Sequence, residues 1–204
     1  MNREASPRGL FALLSVLLCL SPTLVASEFR SVYRLRATPP AGWVVLTKQK
    51  LEQNPRLVEQ TFTAANQSQQ NRMRSGILAS QFEVIAPAPS KNSSGENVVI
   101  RQQTGVFPRS SSDLVKSCEA ARATFQRNSS QPVKVHACRF EALPAGKAAF
   151  AEFDSGTPGM RLVEYMLRRS DGVFMTFTGT FSETSLGPKR ALLTEFAKSV
   201  RFEP

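Results

Sequence analysis

Alternation of apolar and polar residues predicts a strand early in the chain. From Phe29 to Ala37, apolar side chains take most of the odd positions, and Arg30, Arg34 and Arg36 fall on the opposite side. This period of two is typical of a β-strand with one buried face. After a Pro-Pro-Ala-Gly break, the apolar run Trp43 to Leu46 predicts a second extended segment.

Three segments carry the longer apolar spacing that is typical of helices. The first runs from Asn54 to about Arg74, with Asn54 as a possible N-cap. The second begins after Ser110, where Asp113 completes a capping box, and its apolar stripe turns Cys118 inward. The third begins near Pro188 and continues towards the end of the chain.

Apolar runs between turn residues predict the remaining strands. They are Ile77–Ile85, Asn97–Thr104, Val133–Ala142, Lys147–Asp154, Arg161–Arg169 and Val173–Phe181. Asp171-Gly172 joins the last two and is a strong hairpin signal. Thr176, Thr178 and Thr180 alternate with apolar residues, which predicts a solvated sheet face. Together these elements predict an α+β fold, with one antiparallel sheet packed by about three helices.

The first 27 residues are typical of a signal peptide. Arg3 and Arg8 form a basic start, Leu10 to Leu20 is an apolar run, and cleavage after Ser27 would place Val25 at the −3 position. Cleavage after Ala26 is equally plausible. The apolar run is shorter than the roughly 20 residues of a membrane span. We therefore expect an exported chain, periplasmic or secreted, with a single domain over residues 28–204 and no stable membrane span.

Two cysteines, Cys118 and Cys138, would remain after removal of the leader, because Cys19 lies within it. An even pair in an oxidising compartment predicts one structural disulfide. A redox dithiol is the alternative interpretation. The spacing is not the Cys-x-x-Cys of oxidoreductases, so the structural interpretation is favoured.

Basic residues dominate the charge of the 204-residue chain, whose net charge is +10. Residues 28–204 keep +9, so the charge does not reside in the leader. Arg30, Arg34 and Arg36 form the sharpest local patch and a candidate anion-binding surface; Arg168-Arg169 and Lys189-Arg190 are further basic pairs. A merely solvated surface is the alternative. Nucleic acid is disfavoured as a partner, because the basic residues belong to no recognised binding module.

Few residues are candidates for catalysis. His136 is the only histidine and lies two residues before Cys138, so the two would share a strand face. A disulfide at Cys138 would exclude a Cys–His pair, which leaves His136 a structural role. Glu152 and Asp154 share a face, and Glu164 could lie across the hairpin from them, as the acid and base of a hydrolase. Cross-strand ion pairing is the alternative.

No phosphate-binding loop, dinucleotide fingerprint, zinc-ligand cluster or nucleophile elbow occurs in the sequence. We therefore expect no cofactor, no metal and no catalytic residue set. The sequence alone favours a protein that is not an enzyme.

Short motifs near the two ends of the exported chain carry a family resemblance. They are Pro39-Pro40-Ala41-Gly42-Trp43, Val163-Glu164-Tyr165, Gly172-Val173-Phe174-Met175-Thr176-Phe177-Thr178 and Ser199-Val200-Arg201-Phe202. With the order of the elements, they resemble the PsbP-like and DcrB-like α/β/α sandwich proteins over nearly the whole exported chain. The family shares no catalytic motif, and its members include accessory subunits of photosynthetic complexes, a nuclear transport cofactor and exported bacterial proteins. The resemblance implies this fold and a non-enzymatic binding role.

Three functions remain open at this point. The first is an exported, non-enzymatic binding or accessory protein of the cell envelope, whose partner is an unknown protein or an anionic envelope component. The second is a carboxylate-based hydrolase. The third is a carrier of a small apolar ligand, suggested by the 14 Phe residues, although core packing explains them equally well.

Overall fold

The computed structural model describes residues 27–88, 95–127, 129, 131–170 and 172–204. All but the last residue of the predicted signal peptide therefore lies outside the described residues. Within the described ranges, no helix combines the length and apolar character needed to cross a bilayer.

Ten strands and five helices occur within these ranges. The strands are β1 (Phe29–Arg30), β2 (Leu35–Ala37), β3 (Trp43–Leu46), β4 (Glu83–Pro87), β5 (Asn97–Thr104), β6 (Val135–Leu143), β7 (Gly146–Asp154), β8 (Met160–Ser170), β9 (Val173–Ser182) and β10 (Arg201–Phe202). The helices are α1 (Lys48–Gln53), α2 (Leu57–Thr61), α3 (Gln67–Leu78), α4 (Ser111–Arg127) and α5 (Leu186–Ser199).

Seven strands form one antiparallel sheet in the order β3-β4-β5-β9-β8-β7-β6, and β1-β2-β10 form a small second sheet. The predicted α+β class is confirmed, and so are the four meander strands β6 to β9. The small second sheet and two of the helices go beyond the single sheet and three helices expected from the sequence.

The predicted strand from Phe29 to Ala37 is wrong, because a tight turn divides it into β1 and β2. The Ser31 N–H donates to the Leu35 carbonyl at 2.9 Å, and Arg34 has a φ of +58°. Tyr33, Leu35 and Ala37 are all buried, so the turn preserves the alternation that predicted a continuous strand. A turn without glycine or asparagine leaves no signal in such a pattern.

The single helix predicted from Asn54 to Arg74 is also wrong, since α2 and α3 replace it and a further helix, α1, ends just before it. Asn66 caps α3 in a capping box with Gln69, so it starts a helix rather than lying within one. Gly76 lies within α3. A Cβ there would lie 2.2 Å from the Phe82 ring, so the glycine admits a close contact.

The beginning of α4 confirms its predicted cap. The Ser110 side chain accepts a hydrogen bond from the Asp113 N–H at 3.1 Å, and the Asp113 carboxylate accepts one from the Ser110 N–H at 3.1 Å. The helix α5 begins at Leu186, close to the predicted start at Pro188.

The large sheet lies between two layers, because side chains alternate between its faces. On one face, α5 and the small sheet cover a core that includes Phe177, Phe181 and Phe196. On the other face, α1 to α3 cover β3 and β4, while α4 covers β6 and β7. A strip over β5, β9 and β8 lies between these two groups of helices.

Candidate functional site

A disulfide joins Cys118 of α4 to Cys138 of β6, as the sequence predicts. Cys118 is buried in the core cluster beneath α4. The bond attaches the helix to the edge strand that it covers, so both cysteines have a structural role.

His136 lies in a β-bulge between Val135 and Ala137, where the register with β7 shifts. The expected shared face with Cys138 is therefore wrong, because the extra residue turns His136 away. Its Nε2 lies 2.6 Å from Asp154 Oδ1. His136 thus contacts a carboxylate and not the sulfur of Cys138.

Glu152 is a buried carboxylate held between two guanidinium groups. Arg190 lies 2.5 Å from its Oε2 and Arg161 lies 3.3 Å from its Oε1. Arg161 also contacts Asp154 at 3.3 Å and Glu183 at 2.8 Å. This is the ion pairing that the sequence left open as the alternative to an acid–base pair.

The environment of Asp154 favours its ionised form. Burial raises the pKa of this carboxyl, but hydrogen bonds from His136 and the Lys134 N–H and the charge of Arg161 together hold it below its usual range. A lowered pKa suits a permanent ion-pair partner better than a proton donor.

Glu164 lies on the opposite face of the sheet from Glu152. The register pairs Glu164 with Ala151 and Glu152 with Val163. The expectation that Glu164 joins Glu152 and Asp154 is therefore wrong, because adjacent positions of paired strands alternate between faces. The structure does not bring the three carboxylates together.

Glu164 instead belongs to the strip between the two groups of helices. Thr178 Oγ1 donates to Glu164 Oε2 at 2.7 Å. Burial raises the pKa of Glu164, against the opposing effects of this hydrogen bond and the charge of Arg101. Thr176 in the same strip is buried and accepts a 3.4 Å hydrogen bond from Gln103, which contradicts a fully solvated threonine face.

Arg30 and Arg36 of the expected patch lie beside a carboxylate that the sequence did not reveal, and Arg34 lies in the turn between β1 and β2. Glu203 Oε1 lies 2.6 Å from Arg36 Nε and 3.6 Å from Arg30 Nε. The Glu203 N–H also donates to the Arg34 carbonyl at 2.8 Å. The hydrogen bond from Arg36, together with the neighbouring arginine charges, holds the pKa of Glu203 below its usual range.

A second group of cations surrounds a concave surface at one end of the large sheet. Two adjoining cavities of about 270 and 370 Å³ share Phe107, Arg109 and Arg168 in their walls, and Lys147 lines the larger one. We call the surface formed by Phe107, Arg109, Lys147 and Arg168 the basic corner. Of the described residues lining these two cavities, none carries a carboxylate; Asp171 lies outside the described residues.

Three connections meet at the basic corner. Gly105 follows β5, Gly146 begins β7 and Gly172 precedes β9. All three glycines have positive φ angles, at 142°, 121° and 72°. The Gly105 N–H donates to the Gly172 carbonyl at 3.0 Å, which holds two of the connections together.

Sequence reasoning missed the basic corner, apart from marking Arg168 as half of a basic pair. Its cations come from separate elements, with Arg109 before α4, Lys147 in β7 and Arg168 in β8, and no two of them are close in sequence. The available signal was the recurrence of turn glycines close to basic residues. These residues can be placed in one site only when the strand order is known.

No family model matches this chain, and no curated protein matches it in sequence. Among solved structures, it is similar to the solution structure of cyanobacterial PsbP (CyanoP) from Synechocystis sp. PCC 6803. The TM-score is 0.55 at 10% sequence identity, and the match covers 90% of this chain and 96% of that chain. At this identity the likeness concerns the fold alone. The chain therefore has a PsbP-like α+β fold, as its short motifs implied.

Proposed function

We propose that this chain is an exported, non-enzymatic accessory protein that binds an anionic component of the cell envelope. The observation that carries the proposal is the basic corner, where Arg109 and Lys147 line the larger of two adjoining cavities. Cations at a concave surface raise the local electrostatic potential and attract negatively charged partners.

The composition of the chain supports the same kind of partner. Residues 28–204 carry a net charge of +9, so the long-range field of the protein favours approach by anions. The arginine patch of Arg30, Arg34 and Arg36 is less suited to the contact itself, because Glu203 already occupies its centre.

Export is proposed on two independent features. The first 27 residues have the basic start, apolar run and cleavage zone of a signal peptide. The Cys118–Cys138 bond is of the kind that persists in oxidising compartments and is rare in the cytosol. Mass spectrometry of the protein from the periplasm or medium should give a chain that begins at residue 27 or 28 with the two cysteines linked.

The two other functions have weaker support. A carboxylate hydrolase would need a free acid and base, yet Glu152 is ion-paired with Arg161 and Arg190, and Glu164 lies on the other face. A carrier of apolar ligands would need room in the core. Large phenylalanines fill that core instead, among them Phe150 and Phe177.

Affinity capture from envelope extracts at low and high salt tests the proposal. Wild type is compared with the double variant Arg109→Gln/Lys147→Gln and with Arg30→Gln/Arg34→Gln, which loses the same charge elsewhere. We expect a partner that is captured at low salt, released at high salt and lost only in the first variant. The proposal would be contradicted if the partner were captured equally at low and high salt, and equally by wild type and the first variant.

A further inference from the structure

We propose that the strip between the two groups of helices binds a small zwitterion. The ammonium group of this ligand pairs with Glu164, and its acidic group pairs with Arg101. Free amino acids and the phosphoethanolamine headgroup of a lipid share this chemistry. Neither Arg101 nor Glu164 lines a cavity of the basic corner, so this site is distinct from the one proposed above.

The strand register places Arg101 and Glu164 on the same face of the large sheet. Arg101 of β5 pairs with Thr176, Glu164 of β8 pairs with Thr178, and these two threonines share a face of β9. The charged residues therefore lie diagonally across β9. With about 4.8 Å between strands and about 3.4 Å per residue, their Cα atoms are about 12 Å apart. A small molecule can span the space that remains between the two charged groups.

Both charges lack an ionic partner among the described residues. Arg101 lies over the Phe82 ring, 5.1 Å from its centre, and Glu164 accepts its one hydrogen bond, from Thr178, on Oε2. The other described carboxylates that are shielded from solvent are ion-paired or, like Glu83, accept hydrogen bonds on both oxygens. Oε1 of Glu164 is therefore an unused acceptor.

The buried position of Glu164 favours a bound cation. Burial raises the pKa of this carboxyl, and neither the Thr178 hydrogen bond nor the charge of Arg101 offsets the rise. An ammonium group at Oε1 would stabilise the ionised carboxylate, because buried charges require a partner.

The charge of Arg101 selects the kind of cation. It acts on Glu164 without an ion pair, so it would also repel a simple cation bound there. An acidic group on the same ligand would pair with the guanidinium and remove this repulsion. A zwitterion therefore satisfies both residues, whereas an amine or a carboxylate alone satisfies one of them.

The strip offers room and polar contacts to such a ligand. Helices α1 to α3 cover β3 and β4, and α4 covers β6 and β7, so three strands lie between them. From β5 to β8 this is about 10 Å across. Val99, Thr178 and Met166 on this face are each half-buried. The Thr178 hydroxyl, which donates to Glu164, still has lone pairs that can accept from an ammonium group.

Isothermal titration calorimetry with glycine and with glycerophosphoethanolamine tests the proposal. Ethanolamine, which has no acidic group, and acetate, which has no ammonium group, are the ligand controls. The protein variants are Glu164→Gln and Arg101→Gln, and the matched losses of charge are Glu119→Gln and Arg122→Gln in an exposed pair on α4. We expect each strip variant, but neither control variant, to weaken binding of the preferred zwitterion about tenfold. Ethanolamine and acetate should bind at least about tenfold more weakly than that zwitterion.

The comparison of the two zwitterions identifies the source of the ligand. Tighter binding of glycine would support a free amino acid, and tighter binding of glycerophosphoethanolamine would support a lipid headgroup. No saturable binding of either compound would overturn the proposal. Equal affinities of wild type and Arg101→Gln, or of ethanolamine and the zwitterions, would also overturn it. Thermal unfolding of each variant establishes that it is folded, and salt-sensitive capture at the basic corner stands or fails independently of these results.

Discussion

At the residue scale, Glu83 illustrates how a carboxylate is kept inside the protein. It is 2% exposed, and the Ser31 hydroxyl donates to it while the Val32 N–H donates at 3.2 Å. Burial raises the pKa of Glu83, and these hydrogen bonds only partly oppose the rise. The carboxyl holds the turn between β1 and β2 against β4.

The raised pKa predicts a pH dependence of stability. Because the folded protein favours protonated Glu83, this residue stabilises the fold fully below the unfolded-state pKa of about 4.3. That stabilisation is lost as the pH rises through the higher folded-state pKa. We expect Glu83→Gln to remove this loss from the free energy of unfolding measured in urea across that pH range. Glu52→Gln, at an exposed site on α1, is the control. An unchanged pH profile in Glu83→Gln would contradict the assignment.

Arg161 supports a second prediction, because one guanidinium serves three carboxylates. Its side chain is 19% exposed and that of Glu152 is 5% exposed, so Arg161→Gln would leave a buried carboxylate with one partner fewer. We expect the free energy of unfolding to fall by about 2–3 kcal/mol. The matched variant Arg122→Gln breaks an exposed pair with Glu119 and should cost about 0.5 kcal/mol. Equal effects of the two substitutions would refute this interpretation.

The sequence could predict some residue positions and not others. Cys118 and Cys138 were predictable because composition and the expected export alone suggest their pairing. Glu203 was not, because its contact with Arg30 and Arg36 joins residues from opposite ends of the chain. Nor was the position of His136, because a β-bulge is an insertion that alternation does not reveal.

At the element scale, elements with local signals were predicted best. The capping box at Ser110 and Asp113 marks the start of α4 within a few residues of sequence, and the structure places it there. The segment from α1 to α3 has no single local signal of this kind. Its helices are short, and their ends depend on packing against β3 and β4 as well as on the Asn66 cap. The prediction from apolar spacing alone therefore merged α2 and α3 into one helix.

The disulfide gives a prediction for the link between α4 and β6. It closes a loop with a sequence separation of 20, which in the chain-entropy account stabilises the fold by about 3 kcal/mol. We expect Cys118→Ala/Cys138→Ala to lose roughly this much in chemical unfolding. Reductant should lower the stability of wild type and leave the double variant unchanged. If reductant also lowered the stability of the double variant, the loss seen in wild type could not be assigned to the disulfide.

At the scale of the whole molecule, Phe196 connects layers that are distant in sequence. Its ring lies 5.6 Å from that of Phe177 in β9 and 6.4 Å from that of Phe29 in β1, measured between centroids. One side chain of α5 thus contacts both sheets. The core on this face should therefore unfold with the rest of the domain as a unit.

Truncation of this side chain tests that coupling. We expect Phe196→Ala to lower the free energy of unfolding by about 3–5 kcal/mol, since it removes a fully buried ring. Leu192→Ala, on the same helix but 37% exposed, should cost less than about 1 kcal/mol. Within each variant, far-ultraviolet circular dichroism and Trp43 fluorescence should give the same urea midpoint. Separate midpoints would show that the layers unfold independently.

The fold as a whole was more predictable than the site. Short packing motifs and the order of elements suffice for a PsbP-like arrangement, and the similarity to cyanobacterial PsbP bears this out. The basic corner depends on which connections the strand order β5-β9-β8-β7 brings to one end of the sheet. No stretch of sequence contains Arg109, Lys147 and Arg168 together, so no local pattern could indicate it.

The bulge in β6 bears on how the protein behaves at high concentration. β6 ends the large sheet, and a regular outer strand of this length would offer a template to which a strand of another molecule could add. The register shift between Val135 and Ala137 interrupts that template, and the exposed Lys134 lies just before it. Two copies meeting at this edge would align poorly at the bulge. The protein should therefore resist the addition of a foreign strand at this edge of the sheet.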